Sequence, residues 1–248
     1  MFKFFRHIRR KLLSESRFNR YLIYAIGEIA LVMIGILLAF QVNSWNQNRI
    51  DNLAKDEAVK DLHQEFLAIK EDFESHLQFL NQTHDEWDSY LNNITQANVF
   101  DQNELEYRPR TASRKFAPTN STLKSILSTG KIDKIENKEL RNELTGWESI
   151  LSTYEFIQEW HEVFFRNELG PVERETQNTL IRTPGAKKYQ FPGFDKTDRI
   201  KKSLGDTHYQ NLLLTQFDIL KLKIAESAPV TKRIDQIITL LEKEMDIE

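Results

Sequence analysis

The chain has 248 residues, 40% of them hydrophobic and 29% charged, with eight Gly, six Pro and no Cys. That suffices for one ordinary domain with appendages, and it excludes a disulfide framework, a thiolate metal site and a Cys nucleophile. The low Gly and Pro content argues against collagenous, low-complexity and many-turned all-β chains.

The net charge of −3 is unevenly spread: residues 1–20 carry Lys3, Arg6, Arg9, Arg10, Lys11, Arg17 and Arg20 against Glu15 alone, a net +6, so the other 228 residues sum to −9. A basic head on an acidic body points to a negatively charged surface, either nucleic acid or an anionic membrane leaflet. Within the head, Phe5, Ile8 and Leu12 recur at i, i+3 and i+7. That spacing predicts a short amphipathic helix lying in the membrane interface, its seven basic residues toward lipid head groups. The next segment decides for lipid and against nucleic acid.

From Tyr21 to Asn48 only Glu28 is charged. An apolar run of about 20 residues at about 1.5 Å each crosses a hydrocarbon layer of about 30 Å, and residues 21–43 are expected to form a transmembrane helix. Tyr21 and Tyr24 at one end and Trp45 at the other fit interfacial anchors. The run is apolar all round, unlike a soluble core helix. It is longer than the apolar part of a cleavable signal peptide and lacks a small-x-small cleavage site after it. The Lys and Arg excess before Tyr21 predicts a cytoplasmic N-terminus, hence an inner-membrane signal-anchor with residues 46–248 in the periplasm.

Glu28 is the exception within the span. A charged side chain at the centre of a span costs about 2.5–3.5 kcal/mol on insertion scales. On a helical wheel Tyr24, Glu28, Val32, Gly35 and Ala39 form one stripe, and the Gly35–Ala39 pair allows a second helix to approach closely. Three uses are open: a local bond to Tyr24 or a backbone carbonyl (or snorkelling toward Arg20), self-association or docking on another span, and an ion or proton path.

Residues 44–97 are expected to form one long helix. Val59, Phe66, Phe73, Leu80, Trp87 and Ile94 recur every seven residues, with Leu62, Ile69, His76, Thr83 and Tyr90 on the alternating seam. Such a heptad stripe fits one helix of an intramolecular bundle or an intermolecular coiled coil. Residues 98–118, with Pro109, Pro118 and the basic Arg108, Arg110, Arg114 and Lys115, are expected to be a linker loop over the surface. Residues 119–248 are expected to be a helical domain packing with 50–97. A short helix over Ser121–Thr129 should end at Gly130. Asn137 should cap the next helix, with Leu140, Leu144, Trp147, Leu151 and Tyr154 inward and a stop at Gly170-Pro171. A short helical piece to about Ile181 and a loop with Pro184-Gly185 and Pro192-Gly193 follow. The last stretch should start near Asp206 and be kinked or split by Pro229. Its apolar set is Tyr209, Leu213, Phe217, Leu220, Ile224, Ile234, Ile237 and Leu241. No strand-like alternation appears, so the fold class is all-α: one N-terminal transmembrane helix, a helical stalk and an extracytoplasmic helical bundle.

The stretch YAIGEIALVMIGILLAFQVNSWN and the basic FFRHIRRKLLSESRFNRYL before it resemble the signature of a family of uncharacterised single-span membrane proteins of Bacteroidetes-type Gram-negative bacteria. STLKSILSTGKIDKIENKELRNEL resembles that family's second motif, at Leu127, Ser128, Gly130, Asn137, Glu139, Leu140 and Arg141. The resemblance implies the single-span topology and supplies no catalytic residue.

A search for chemistry returns little. The six His residues give no HExxH pair and no Glu-x-x-His pairing across helices. His76, His84 and Asp72 are expected to be solvated or to fill the seam. Gly-rich phosphate loops and GxSxG are absent. We therefore expect no enzyme, no cofactor and no metal. The expected role is that of a scaffold, accessory subunit or sensor of an envelope complex, held in the bilayer and acting through a protein partner or as a homo-oligomer. The alternatives are a stator-like subunit of an ion-driven complex using Glu28, and an enzyme with an unrecognised site.

Overall fold

The computed structural model describes residues 17–96, 109, 114–176 and 201–246. The described residues are helices and their connections, with no strand among them. The elements are α1 (Arg17–Gln96), α2 (Ser121–Ser128), a 3-10 turn (Lys131–Lys134), α3 (Lys138–Phe164), a π turn (Phe165–Leu169), α4 (Gly170–Thr176), α5 (Thr207–Ala225) and α6 (Ser227–Glu244). The chain divides into two units, Met1–Glu57 and Ala58–Glu248.

In the first unit, α1 contains one helix long and apolar enough to cross a membrane, and none of its apolar window is buried by the rest of the protein. The expected span and the expected long helix are one uninterrupted element, with no Gly or Pro between Val42 and Ala58.

The second unit is a helical bundle closed on the heptad face of α1. Val59, Leu62, Phe66, Ile69, Phe73, His76, Leu80, Thr83, Trp87 and Tyr90 are all buried. The seam is thus satisfied within the chain. Thr83 is tolerated there because its hydroxyl donates to the Phe79 carbonyl oxygen at 2.8 Å. Two apolar clusters result. One joins Phe66 and Phe73 of α1 to Trp147 and Tyr154 of α3 and to Ile234, Ile237 and Leu241 of α6. The other joins Leu80, Trp87 and Tyr90 to Phe164, Leu169, Tyr209, Leu213 and Leu220.

The joint between α2 and α3 explains the second sequence motif. Gly130 adopts φ 69°, a left-handed conformation that is cheap for glycine. The Asn137 side chain accepts from the backbone N–H groups of Glu139 and Leu140, Leu140 is fully buried, and the Arg141 guanidinium donates to the carbonyls of Ile135 and Glu136. These residues build a turn between two helices. The start of α2 is capped from afar: Asn120 makes no side-chain cap, and the Glu65 carboxylate of α1 accepts from Thr122 N–H at 2.8 Å and Leu123 N–H at 3.0 Å.

Two expectations fail. Gly170-Pro171 does not stop the helix. A proline in a regular helix lacks a donor and its ring meets the carbonyl four residues earlier. Here the widened π turn Phe165–Leu169 precedes it and the chain continues into α4. Gly170 is required there, because a Cβ would lie 2.6 Å from the Phe165 carbonyl oxygen. The surface-linker expectation fails at Phe116, which is buried and sits 4.7 Å from Phe73, centroid to centroid. It is held by Gln158, whose side chain accepts from Phe116 N–H at 2.7 Å and donates to Phe116 O at 3.0 Å. Pro229 falls at the third position of α6, where its missing N–H has no partner to lose; the break from α5 is at Glu226. The helical piece expected beyond Thr176 and the two Pro-Gly turns lie outside the described residues.

Candidate functional site

Two places hold the residues with chemical or assembly potential, and each belongs to one unit. The first is the apolar stretch of α1. Tyr24, Glu28, Val32 and Gly35 lie on one helical face and are all exposed. Ala39 lies one turn beyond Gly35 on that face and is likewise exposed. A Cβ added at Gly35 would meet nothing within 4 Å, so the small residues there leave helix surface open to an approaching neighbour. Of the basic residues expected at lipid head groups, Arg17 and Arg20 fall in the first turn of α1, while Lys3, Arg6, Arg9, Arg10 and Lys11 lie outside the described residues.

The second place is a buried polar layer in the bundle. It falls between the two apolar clusters on three helices at once: His76 follows Phe73 and precedes Leu80 on α1, Gln158 and His161 separate Tyr154 from Phe164 on α3, and Lys223 lies between Leu220 of α5 and Val230 of α6. Lys223 is fully buried. Its Nζ lies 3.5 Å from His161 Nδ1, and His161 Nε2 lies 2.9 Å from Gln216 Oε1. An ammonium group only donates, so His161 Nδ1 must offer its lone pair. The ring proton then sits on Nε2 and is donated to Gln216 Oε1. His76 Nε2 and the Tyr154 hydroxyl are 2.8 Å apart.

Burial governs how these groups titrate. It lowers the His76 pKa to about 4, with the charges of Lys223 and Arg114 acting in the same direction. It lowers His161 to about 4 as well, again helped by Lys223, while the Gln216 bond and Glu162 oppose the shift. Lys223 itself is brought down to about 8 by burial, against the attraction of Glu162. Burial pushes the Tyr154 phenol upward. At neutral pH the layer therefore holds two neutral imidazoles and an ammonium that is mostly protonated.

Sequence spacing placed His76 on the seam, and its burial fits that expectation. His84 is only partly covered and stacks on Phe217 at 4.9 Å between centroids, and Asp72 pairs with Arg114 at 3.1 Å. Sequence spacing does not join Gln158, His161, Gln216 and Lys223 into one layer, because their association depends on the relative rotation of α3 and α5. Their polar types at inward-facing positions were the available signal. Among the described residues, no three His, Asp or Glu side chains gather as a metal site requires. No family model, curated protein or solved structure matches this chain.

Proposed function

We propose that this chain is a single-pass inner-membrane protein with a cytoplasmic N-terminus and a periplasmic helical domain. It acts through protein contacts, as a scaffold, accessory subunit or sensor of an envelope complex. Its resemblance to the single-span family of Bacteroidetes-type bacteria belongs to the same reading. The supporting observation is that the apolar window of α1 has no cover from the protein's own residues, an arrangement that lipid satisfies. The Tyr24–Ala39 stripe is the contact surface proposed within the bilayer.

The test uses the full chain in membranes and two variants. Gly35→Leu keeps Glu28 and blocks close approach of a second helix; Glu28→Gln keeps hydrogen-bonding capacity and removes the titratable proton. An assembly surface predicts less crosslinked complex for Gly35→Leu and unchanged crosslinking and phenotype for Glu28→Gln. Unchanged crosslinking of Gly35→Leu contradicts the assembly role. Loss of phenotype with assembly intact in Glu28→Gln points instead to ion-driven work.

A further inference from the structure

The side of α3 turned away from the core carries an apolar stripe that no described part of the bundle covers. Phe156, Trp160 and Val163 are 68%, 45% and 40% exposed. They follow one another at i, i+4 and i+7, so they form a continuous row over about 10 Å of helix. The buried face of the same helix, at Leu151, Tyr154, Gln158 and His161, is already filled, so this row is a second seam and no part of the core. Isolated exposed apolar residues are ordinary, whereas a row that includes Trp and Phe is what interfaces are anchored on.

Charge identifies what fits it. Between Gly146 and Phe164, α3 carries Glu148, Glu155, Glu159 and Glu162 and no Lys or Arg. These four acids run along the helix as a rail beside the apolar row. Glu162 is answered by Lys115 at 3.1 Å and by Arg166, one turn further on, at 4.0 Å; Glu155 and Glu159 make no ion pair among the described residues. An acidic rail next to an apolar row matches a helix with its own apolar row flanked by Lys or Arg, as heptad-patterned helices pair through flanking charges. A second copy of α3 would set acid against acid, and an anionic lipid surface would repel the rail.

We propose that the outer face of α3, at Phe156, Trp160 and Val163, is a docking site for a basic amphipathic helix of a partner protein. The proposal goes beyond the membrane-anchor reading and does not depend on it.

The test places the full chain in zwitterionic nanodiscs and measures fluorescence anisotropy with two labelled three-heptad peptides. Both have Leu at the apolar positions; one has Lys and the other Glu at the flanking positions. The Lys peptide should bind and the Glu peptide should not. Phe156→Ser combined with Trp160→Ser should weaken Lys-peptide binding by at least about tenfold. Glu155→Lys combined with Glu159→Lys should reverse the preference. All four side chains are exposed, and unchanged helical melting of each variant checks the fold. Since the chain has no Cys, Phe156→Cys provides a single thiol that should react rapidly with a maleimide. Absence of Lys-peptide binding, or binding that ignores both double variants, overturns the proposal. So does a slow thiol, which means the chain covers its own stripe, or a dimer lost in the Ser variant, which means a second copy does. None of these outcomes bears on topology, which a reporter fusion reads separately.

Discussion

At neutral pH Lys223 keeps a proton although its side chain is fully buried, and among the described residues its close polar neighbour is the lone pair of a neutral imidazole at 3.5 Å. Lowering its pKa from 10.5 to about 8 corresponds to about 3 kcal/mol of destabilisation at pH 7. Lys223→Met keeps the stem's volume and removes the charge, so we expect a gain of about 1–3 kcal/mol, read as a higher denaturation midpoint of the full chain in detergent. A lower midpoint would show that the ammonium holds the layer together. The two imidazoles act at a different pH. Their folded-state pKa values are lowered from 6.5 to about 4, so between those limits the unfolded chain binds more protons. The imidazoles' contribution to stability is fully present above about pH 6.5 and is lost as the pH drops through this window. Lys223 adds a separate rise from about pH 8 to about 10.5. Melting curves from pH 4 to 10 should show both limbs, and Lys223→Met should abolish the alkaline limb and soften the acid one. Gln158 makes a further prediction at this scale. Its amide satisfies both backbone groups of Phe116 inside the protein. Gln158→Leu strands two buried polar groups and should cost about 2–4 kcal/mol in chemical denaturation.

Among the elements, α1 was the most legible in sequence. Its seven-residue repeat from Val59 to Trp87 names a buried face without ambiguity, because heptad spacing and burial are the same geometric fact. The Gly130 turn, the Asn137 cap and the start near Asp206 were legible for a similar reason: each depends on residues a few positions apart. What sequence spacing missed depends on contacts between distant segments. Glu65 caps a helix 57 and 58 residues further on, and Gln158 pins Phe116 across 42 residues. The π turn was missed because Gly-Pro is ordinarily a stop, and only the widened turn before it lets the chain go on. Gly170→Ala tests that account. Its methyl group would meet the Phe165 carbonyl at 2.6 Å, so the turn must shift, and we expect a loss of about 1–3 kcal/mol. A neutral substitution would mean that the turn has room to relax. Gly146 is a second close approach, since a Cβ there would lie 2.9 Å from Nη1 of Arg233, whose guanidinium pairs with Glu143.

For the whole molecule, the division of labour follows from burial. Among the described residues, the helices from Ala58 onward bury apolar faces against one another, while the apolar side chains from Tyr21 to Val42 have no such cover. The proposed direction rests on the charge asymmetry: seven basic residues precede Tyr21, and only Arg49 and Lys55 lie close after Trp45. The exposed Tyr24–Ala39 stripe, proposed for assembly, was legible in sequence because one acidic residue in an apolar run stands out. The buried polar layer and the outer face of α3 were not, because the sequence alone does not fix which side of α3 meets the core. The measurement that bears most directly on the central claim is a pair of reporters fused after Glu248, one active only in the cytoplasm and one only outside it, read alongside alkaline extraction of the membranes. The account predicts a signal from the outside reporter alone, with the chain retained in the membrane pellet. A signal from the cytoplasmic reporter, or release of the chain into the soluble fraction, would contradict it.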